Sequence, residues 1–172
     1  MRRLGEKEGD GMIRTAWVGV LAFLADRISK QLVIEWMELG AAKVVWPGVL
    51  NLTYTQNTGM AFSILADRTW LLIVLSAAAL IVIVEALRRA LRSTPLHHAL
   101  LWLLVAGGLG NLLDRLFFGY VIDFLHVQFV RFPVFNVADA CLTVSALLLI
   151  VALLRNPEEN QGPQKANEQR AA

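Results

Sequence analysis

Two aspartates in apolar company are the residues of this chain best placed to do chemistry. Asp123 stands in Val121-Ile122-Asp123-Phe124, and Asp139 follows Phe135-Asn136-Val137-Ala138. An ionised carboxylate among Ile, Phe and Leu is costly unless it is paired or wet. Asp139 admits a structural reading, because Asn136 three residues earlier can cap a helix whose first turn favours a carboxylate. Asp123 has no comparable excuse. About twenty residues separate the apolar stretches around them, so both carboxylates return to the same end and can meet. Two carboxyls sharing a site repel, and one keeps a proton while the other is ionised at neutral pH. Such a pair can hydrolyse a peptide. The ionised member takes a proton from water, which attacks the carbonyl, and the protonated member assists the oxygen and then the leaving amine.

Further polar residues gather around this pair. Asn111 and Arg115 are four apart and share a helical face. Arg115 either snorkels to lipid headgroups or joins Asn111 in binding. The preceding Gly107-Gly108-Leu109-Gly110 reads as close helix packing in lipid. It is no phosphate loop, since no strand precedes it and no Lys-Ser or Lys-Thr follows. Asn57-Thr58-Gly59 is a polar turn in which Gly59 supplies either a positive φ or room for a close approach. Asp26 and Lys30, four apart with the acid first, predict an internal ion pair, which inside a span is also a functional candidate. His126, three residues after Asp123, could furnish half a metal site, but no second His accompanies it on that side. Cys141 is the sole cysteine; it can form no internal disulfide and reads as an inert thiol within a span.

The elements that must position these groups are membrane spans. Of 172 residues, 56% are hydrophobic and only 17% charged, with a mean hydropathy of +0.54. An ordinary soluble domain carries about a quarter charged residues. The net charge of +2 leaves no bulk basicity, so no nucleic-acid partner is expected. Four apolar stretches, about 14–34, 69–87, 96–113 and 134–154, each approach the roughly 20 residues a helix needs to cross the hydrocarbon layer. The first is not read as a cleavable signal, because its apolar run ends in Asp26 and Arg27 rather than a small-residue cleavage site. Arg2, Arg3, Lys7, Arg14, Arg88, Arg89, Arg92, Arg155, Lys165 and Arg170 lie on one side of these spans. Only Lys43, Arg68, Arg115 and Arg131 lie on the other, which predicts that both termini are cytoplasmic.

The connection between the first two spans is long enough to hold structure of its own. Pro47-Gly48 predicts a turn, and the alternation from Leu50 to Tyr54 a strand. Trp36 and Trp46 suit the membrane interface. Residues 1–13 are expected to form a cytoplasmic tail and 14–155 the membrane domain. Residues 156–172, rich in Glu, Gln, Asn and Pro, are expected to be a disordered cytoplasmic tail.

Taken together, the motifs resemble the lipoprotein signal peptidases, bacterial type II signal peptidases that are aspartyl proteases of the inner membrane. The resemblance covers about residues 15–155. It rests on Asp26 to Lys30, Asn57-x-Gly59-x-Ala61-Phe62, Gly107-Gly108-x-x-Gly110-Asn111-x-x-Asp114-Arg115, Val121-x-Asp123-Phe124 and Phe135-Asn136-x-Ala138-Asp139. It implies an all-α integral membrane protein of four transmembrane helices, with a small periplasmic β-sheet cradle and a short interfacial helix. It also implies that Asp123 and Asp139 are catalytic, near the periplasmic face. Asn57, Gly59, Asn111, Arg115 and Asn136 would meet the substrate, supported by Asp26, Lys30, Gly108, Asp114 and Ala138. The implied substrate is a diacylglyceryl-modified prolipoprotein, cut before its lipidated Cys by a monomer among membrane lipids, without metal or cofactor. Arg27 departs from the pattern, where a neutral polar residue is expected, and is taken to lie clear of the site, as is the longer charged N-terminal tail. The competing reading is a small proton-coupled or ion-conducting transporter in which Asp26, Asp123 and Asp139 form a relay. A relay spreads its ionisable groups through the bilayer, whereas these are expected to cluster at the outer end.

Overall fold

The computed structural model describes residues 2–59, 69–90 and 94–155, with backbone alone at 2–10 and 90. Four helices and three strands follow in the order α1 (Arg2–Trp36), β1 (Ala42–Trp46), β2 (Leu50–Asn57), α2 (Thr69–Ala90), α3 (Pro95–Phe118), β3 (Val121–Val127) and α4 (Val137–Arg155). Three helical segments, Thr69–Arg89, Pro95–Phe118 and Val137–Arg155, are long and apolar enough to cross a membrane. Helix α1 is longer still, at 35 residues, and starts within the stretch expected to be a tail.

Burial runs opposite to that of a water-soluble protein. Trp17, Trp70, Ile81, Phe117 and Leu154 are exposed, while Asp26, Lys30, Asp114, Asp123 and Asn136 are at most 2% exposed. Large exposed apolar surface of this extent fits lipid. Along α1 the buried residues Asp26, Lys30 and Val33 recur at helical spacing, and Met37 just past its end continues the stripe against the rest of the molecule.

Helix α3 is central and packs against α1, α2 and α4. Its glycines account for the closeness of that packing. A Cβ on Gly107 would come within 2.5 Å of the Ala138 carbonyl of α4, and one on Gly108 within 2.8 Å of Leu80 of α2. Thr94 caps the start of α3 by accepting from His97 N, with Pro95 next. Gly119, at φ 82, ends the helix by donating its N–H to the Arg115 carbonyl. The helix therefore runs past the predicted boundary at 113. Asp114 and Arg115 depressed the hydropathy there, but both turn their side chains into the protein.

The sheet is antiparallel with strand order β1-β2-β3. Pro47-Gly48 makes the turn between β1 and β2, with Gly48 at φ 73 and Val49 N bonded to the Trp46 carbonyl at 3.0 Å. Val33 of α1 and Met37 just after it pack with Tyr54, Ile122 and Phe124, which seats the sheet on one end of the helices. No short interfacial helix occurs among the described residues. Residues 60–68 of that connection lie outside them, as does the tail 156–172.

Candidate active site

Asn136 organises the end of the bundle where the sheet sits. Its side-chain oxygen accepts from Asp139 N at 2.9 Å, and Asp139 Oδ2 accepts from Asn136 N at 3.3 Å. This reciprocal cap starts α4 and fixes the Asp139 carboxylate in its first turn. The Asn136 amide simultaneously donates to Asp123 Oδ1 at 2.7 Å and to Asn111 Oδ1 at 3.0 Å. Asn111 Nδ2 in turn donates to Asp139 Oδ1 at 2.7 Å. One buried asparagine thus ties β3, α3 and α4 to both carboxylates.

Asp123 comes from a strand that its sequence did not announce. In β3 the run Val121 to Phe124 is buried on both faces, so the period-two alternation of a half-buried strand is absent. Asn57 of β2 stands opposite Val121, and its Nδ2 reaches diagonally to Asp123 Oδ2 at 2.9 Å. The Asn57 side-chain oxygen accepts from Gly59 N, and the Gly59 carbonyl accepts from Arg115 at 2.9 Å. Gly59 therefore enters the site through its backbone. Burial pushes the Asp123 carboxyl up to about 7, and the neighbouring Asp139 adds to the effect; the amides of Asn57 and Asn136 oppose it.

Asn57, Asn111, Arg115, Asp123 and Asp139 line one cavity of about 430 Å³. Its other walls are mostly apolar, from Phe132 to Phe135 in the β3–α4 connection and from Val144 on α4, with Thr143 beside it. Apart from Phe135, which belongs to the motif that ends at Asp139, these apolar wall residues were not singled out from the sequence, where nothing distinguishes them from the many apolar residues that face lipid. Such a cavity can hold an apolar ligand and present a few polar groups to one point of it. His126 lies apart, with its ring near the Thr53 hydroxyl of β2.

Behind Asn111 lies a cluster of four charges. Lys30 Nζ reaches Asp26 Oδ2 at 3.0 Å, Asp114 Oδ2 at 2.7 Å and Asn111 Oδ1 at 3.1 Å. Asp26 Oδ1 accepts from Ala138 N at 3.0 Å, so α1 holds the first turn of α4. Asp114 Oδ2 also accepts from Ile122 N at 3.3 Å, which anchors β3. The expected ion pair between Asp26 and Lys30 is thus part of a larger assembly.

Arg27 requires a correction. It does not lie clear of these groups: its guanidinium meets Asp26 Oδ2 at 2.7 Å, Asp114 Oδ1 at 2.7 Å and the Gly110 carbonyl at 3.0 Å. Although it is next to Asp26 in sequence, its long side chain curls back to compensate two buried carboxylates. Gly110 matters for the same reason, because a Cβ there would stand 2.7 Å from Asp26 Oδ2. Gly108 instead faces α2, on the side of α3 away from this cluster.

The profile of the family described as Signal peptidase (SPase) II matches residues 18–155. A lipoprotein signal peptidase of Streptococcus pyogenes serotype M5 (strain Manfredo) is 38% identical over 143 residues, covering 83% of this chain and 93% of the relative. Its counterpart from serotype M18 (strain MGAS8232) matches equally well. Among solved structures, a bacterial membrane enzyme determined by the in meso method at 2.3 Å superposes with a TM-score of 0.78 and 30% identity, covering 87% of this chain and 92% of that one. A second, at 1.9 Å, gives 0.74 at 30% identity, covering 83% and 94%. With a family match over most of its length and these relatives, the chain belongs to the signal peptidase II family and is an aspartic peptidase.

Proposed function

We propose that this protein removes the signal peptide from diacylglyceryl-modified prolipoproteins, using Asp123 and Asp139 to activate water. The supporting observation is that both carboxylates face one cavity and, among the described residues, are held only by neutral amides, from Asn57, Asn136 and Asn111 and the Asn136 backbone. Neutral donors orient a carboxylate without cancelling its charge. Two such groups therefore share a proton.

In this reading the ionised aspartate takes a proton from water, and the resulting hydroxide attacks the carbonyl carbon of the residue before the lipidated Cys. The protonated aspartate hydrogen-bonds the developing oxyanion and then protonates the leaving nitrogen as the C–N bond breaks. Arg115 and Asn57 hold the peptide in place, while the apolar walls accept acyl and aliphatic groups. Helix α1 serves as a fourth span, with its exposed Trp17, Leu21 and Ile28 toward lipid. The excess of Lys and Arg supports cytoplasmic termini and a cavity near the periplasmic face of the bacterial inner membrane. Acyl chains can then stay in the bilayer while the scissile peptide reaches the aspartates.

The test is cleavage of a diacylglyceryl-modified prolipoprotein by purified protein in lipid, comparing wild type with folded Asp123→Asn and Asp139→Asn. Cutting before the lipidated Cys by wild type alone supports the assignment. Full activity in either variant, or no cutting by wild type, overturns it. The grouping of Asp26, Asp123 and Asp139 at one end of the bundle gives a transporter relay no support.

A further inference from the structure

The four-charge cluster contains one member whose role the aspartate mechanism leaves open. Arg27 does not line the cavity, yet it uses its whole guanidinium on groups behind it. Consider what Lys30 must do there. An ammonium has three donors, and those of Lys30 go to Asp26 Oδ2, Asp114 Oδ2 and Asn111 Oδ1. The last of these decides which way the Asn111 amide faces. With its oxygen held by Lys30 and Asn136, Asn111 can only turn its nitrogen toward Asp139.

Lys30 alone cannot compensate two carboxylates and still serve Asn111. Without Arg27 the buried group would hold two negative charges against one positive, a costly imbalance at low dielectric. It would draw the ammonium toward the carboxylates. Arg27 removes that conflict by placing Nε and Nη2 on Asp26 and Nη1 on Asp114, a fork that a lysine cannot reproduce.

We propose that Arg27 is a positioning residue for the aspartate pair: by taking lone pairs of Asp26 and Asp114 it frees Lys30 to fix the Asn111 amide, and hence the Asp139 carboxylate. The proposal rests on the aspartate mechanism above. The charged groups facing Arg27 are Asp26 and Lys30 from α1 and Asp114 from α3; Arg115, Asp123 and Asp139 lie beyond Asn111.

The experiment compares wild type, Arg27→Gln and Arg27→Lys, reconstituted in lipid, for kcat and KM on a diacylglyceryl-modified prolipoprotein across pH, and for melting temperature. Arg27→Gln is expected to lose about tenfold in kcat, the scale of a modest misplacement of a reacting group, with KM within about twofold. The uncompensated negative charge should also move the alkaline limb of its pH–rate profile upward by about half a unit. Arg27→Lys should return the limb to its wild-type position, since the charge is restored, while kcat stays low because the fork is lost. A lowered melting temperature with kcat and limb unchanged overturns the proposal, as does a loss confined to KM. Should Arg27→Gln fail to fold, wild-type kcat in Arg27→Lys is the overturning result. Failure of the underlying mechanism would show differently, as a wild type without activity or an Asp139→Asn variant that retains it.

Discussion

Among the described residues, four carboxylates lie where the helices meet the sheet, and they fall into two pairs with opposite company. Asp26 and Asp114 are bound by Lys30 and Arg27, so two negative charges meet two positive ones. Among the described residues Asp123 and Asp139 meet only amides, and no ion pair reaches either. The first pair is spent on architecture: Asp26 holds the first turn of α4, and Asp114 holds the start of β3. The second pair faces a cavity and, in the proposed mechanism, keeps a charge that the reaction uses. Burial does not tell the pairs apart, since Asp123 is buried as Asp26 and Asp114 are. What distinguishes the pairs is whether a cation cancels the charge, and Asn111 is the hinge between them, accepting from Lys30 and donating to Asp139.

The comparison can be broken most directly at the amide-held pair. Asp123→Asn and Asp139→Asn should each lower the hydrolysis rate by roughly 10³-fold with little change in melting temperature, as measured by prolipoprotein cleavage and thermal unfolding in detergent. A large loss of stability instead would place these residues with the architectural pair. Lys30→Met tests the other side. It leaves one cation for two buried carboxylates, so a loss of about 3–5 kcal/mol is expected, seen as a melting temperature lower by about 10 °C or more. An unshifted melting curve would mean that compensation is not what holds this region together.

Arg115→Ala should cost about tenfold or more in kcat/KM, because it removes a charged donor from the cavity wall while leaving both carboxylates in place. Wild-type kinetics would return Arg115 to the role of an interfacial anchor. The mildest expected effect is on pH dependence. Asp123 is raised from an ordinary 3.8 to about 7, so its contribution to stability is complete below about 3.8 and is lost as pH rises through about 7. Melting temperature should therefore fall from pH 5 to pH 8, and Asp123→Asn should flatten that slope. Hydrolysis should decline above about 7, as the pair gives up its shared proton. A melting temperature insensitive to pH in this window would show that Asp123 is better solvated than its surroundings suggest.

Much of this organisation was legible from residue types. The apolar runs marked α2, α3 and α4, because lipid demands length and hydrophobicity and little else. Pro47-Gly48 marked the turn, and Asn136 the start of α4, because both signals are local. Strand β3 escaped because it is covered on both faces at Asp123, which erases alternation. Strand β1 escaped because all five of its residues are exposed.

The sequence by itself determined that this chain lives in lipid, and that a few acids and amides sit where lipid would not tolerate them unpartnered. It could also place Asn111 and Arg115 on one face, and Asp26 beside Lys30, since helical spacing is a property of the backbone. Only the tertiary structure decided which of the four acids are neutralised. That outcome depends on contacts between residues more than eighty positions apart, such as Arg27 to Gly110 and Lys30 to Asn111. Charge compensation is a matter of distances in space. No spacing along the chain records that Arg27 folds back onto Asp114, or that Asp123 and Asp139 are left with amides alone.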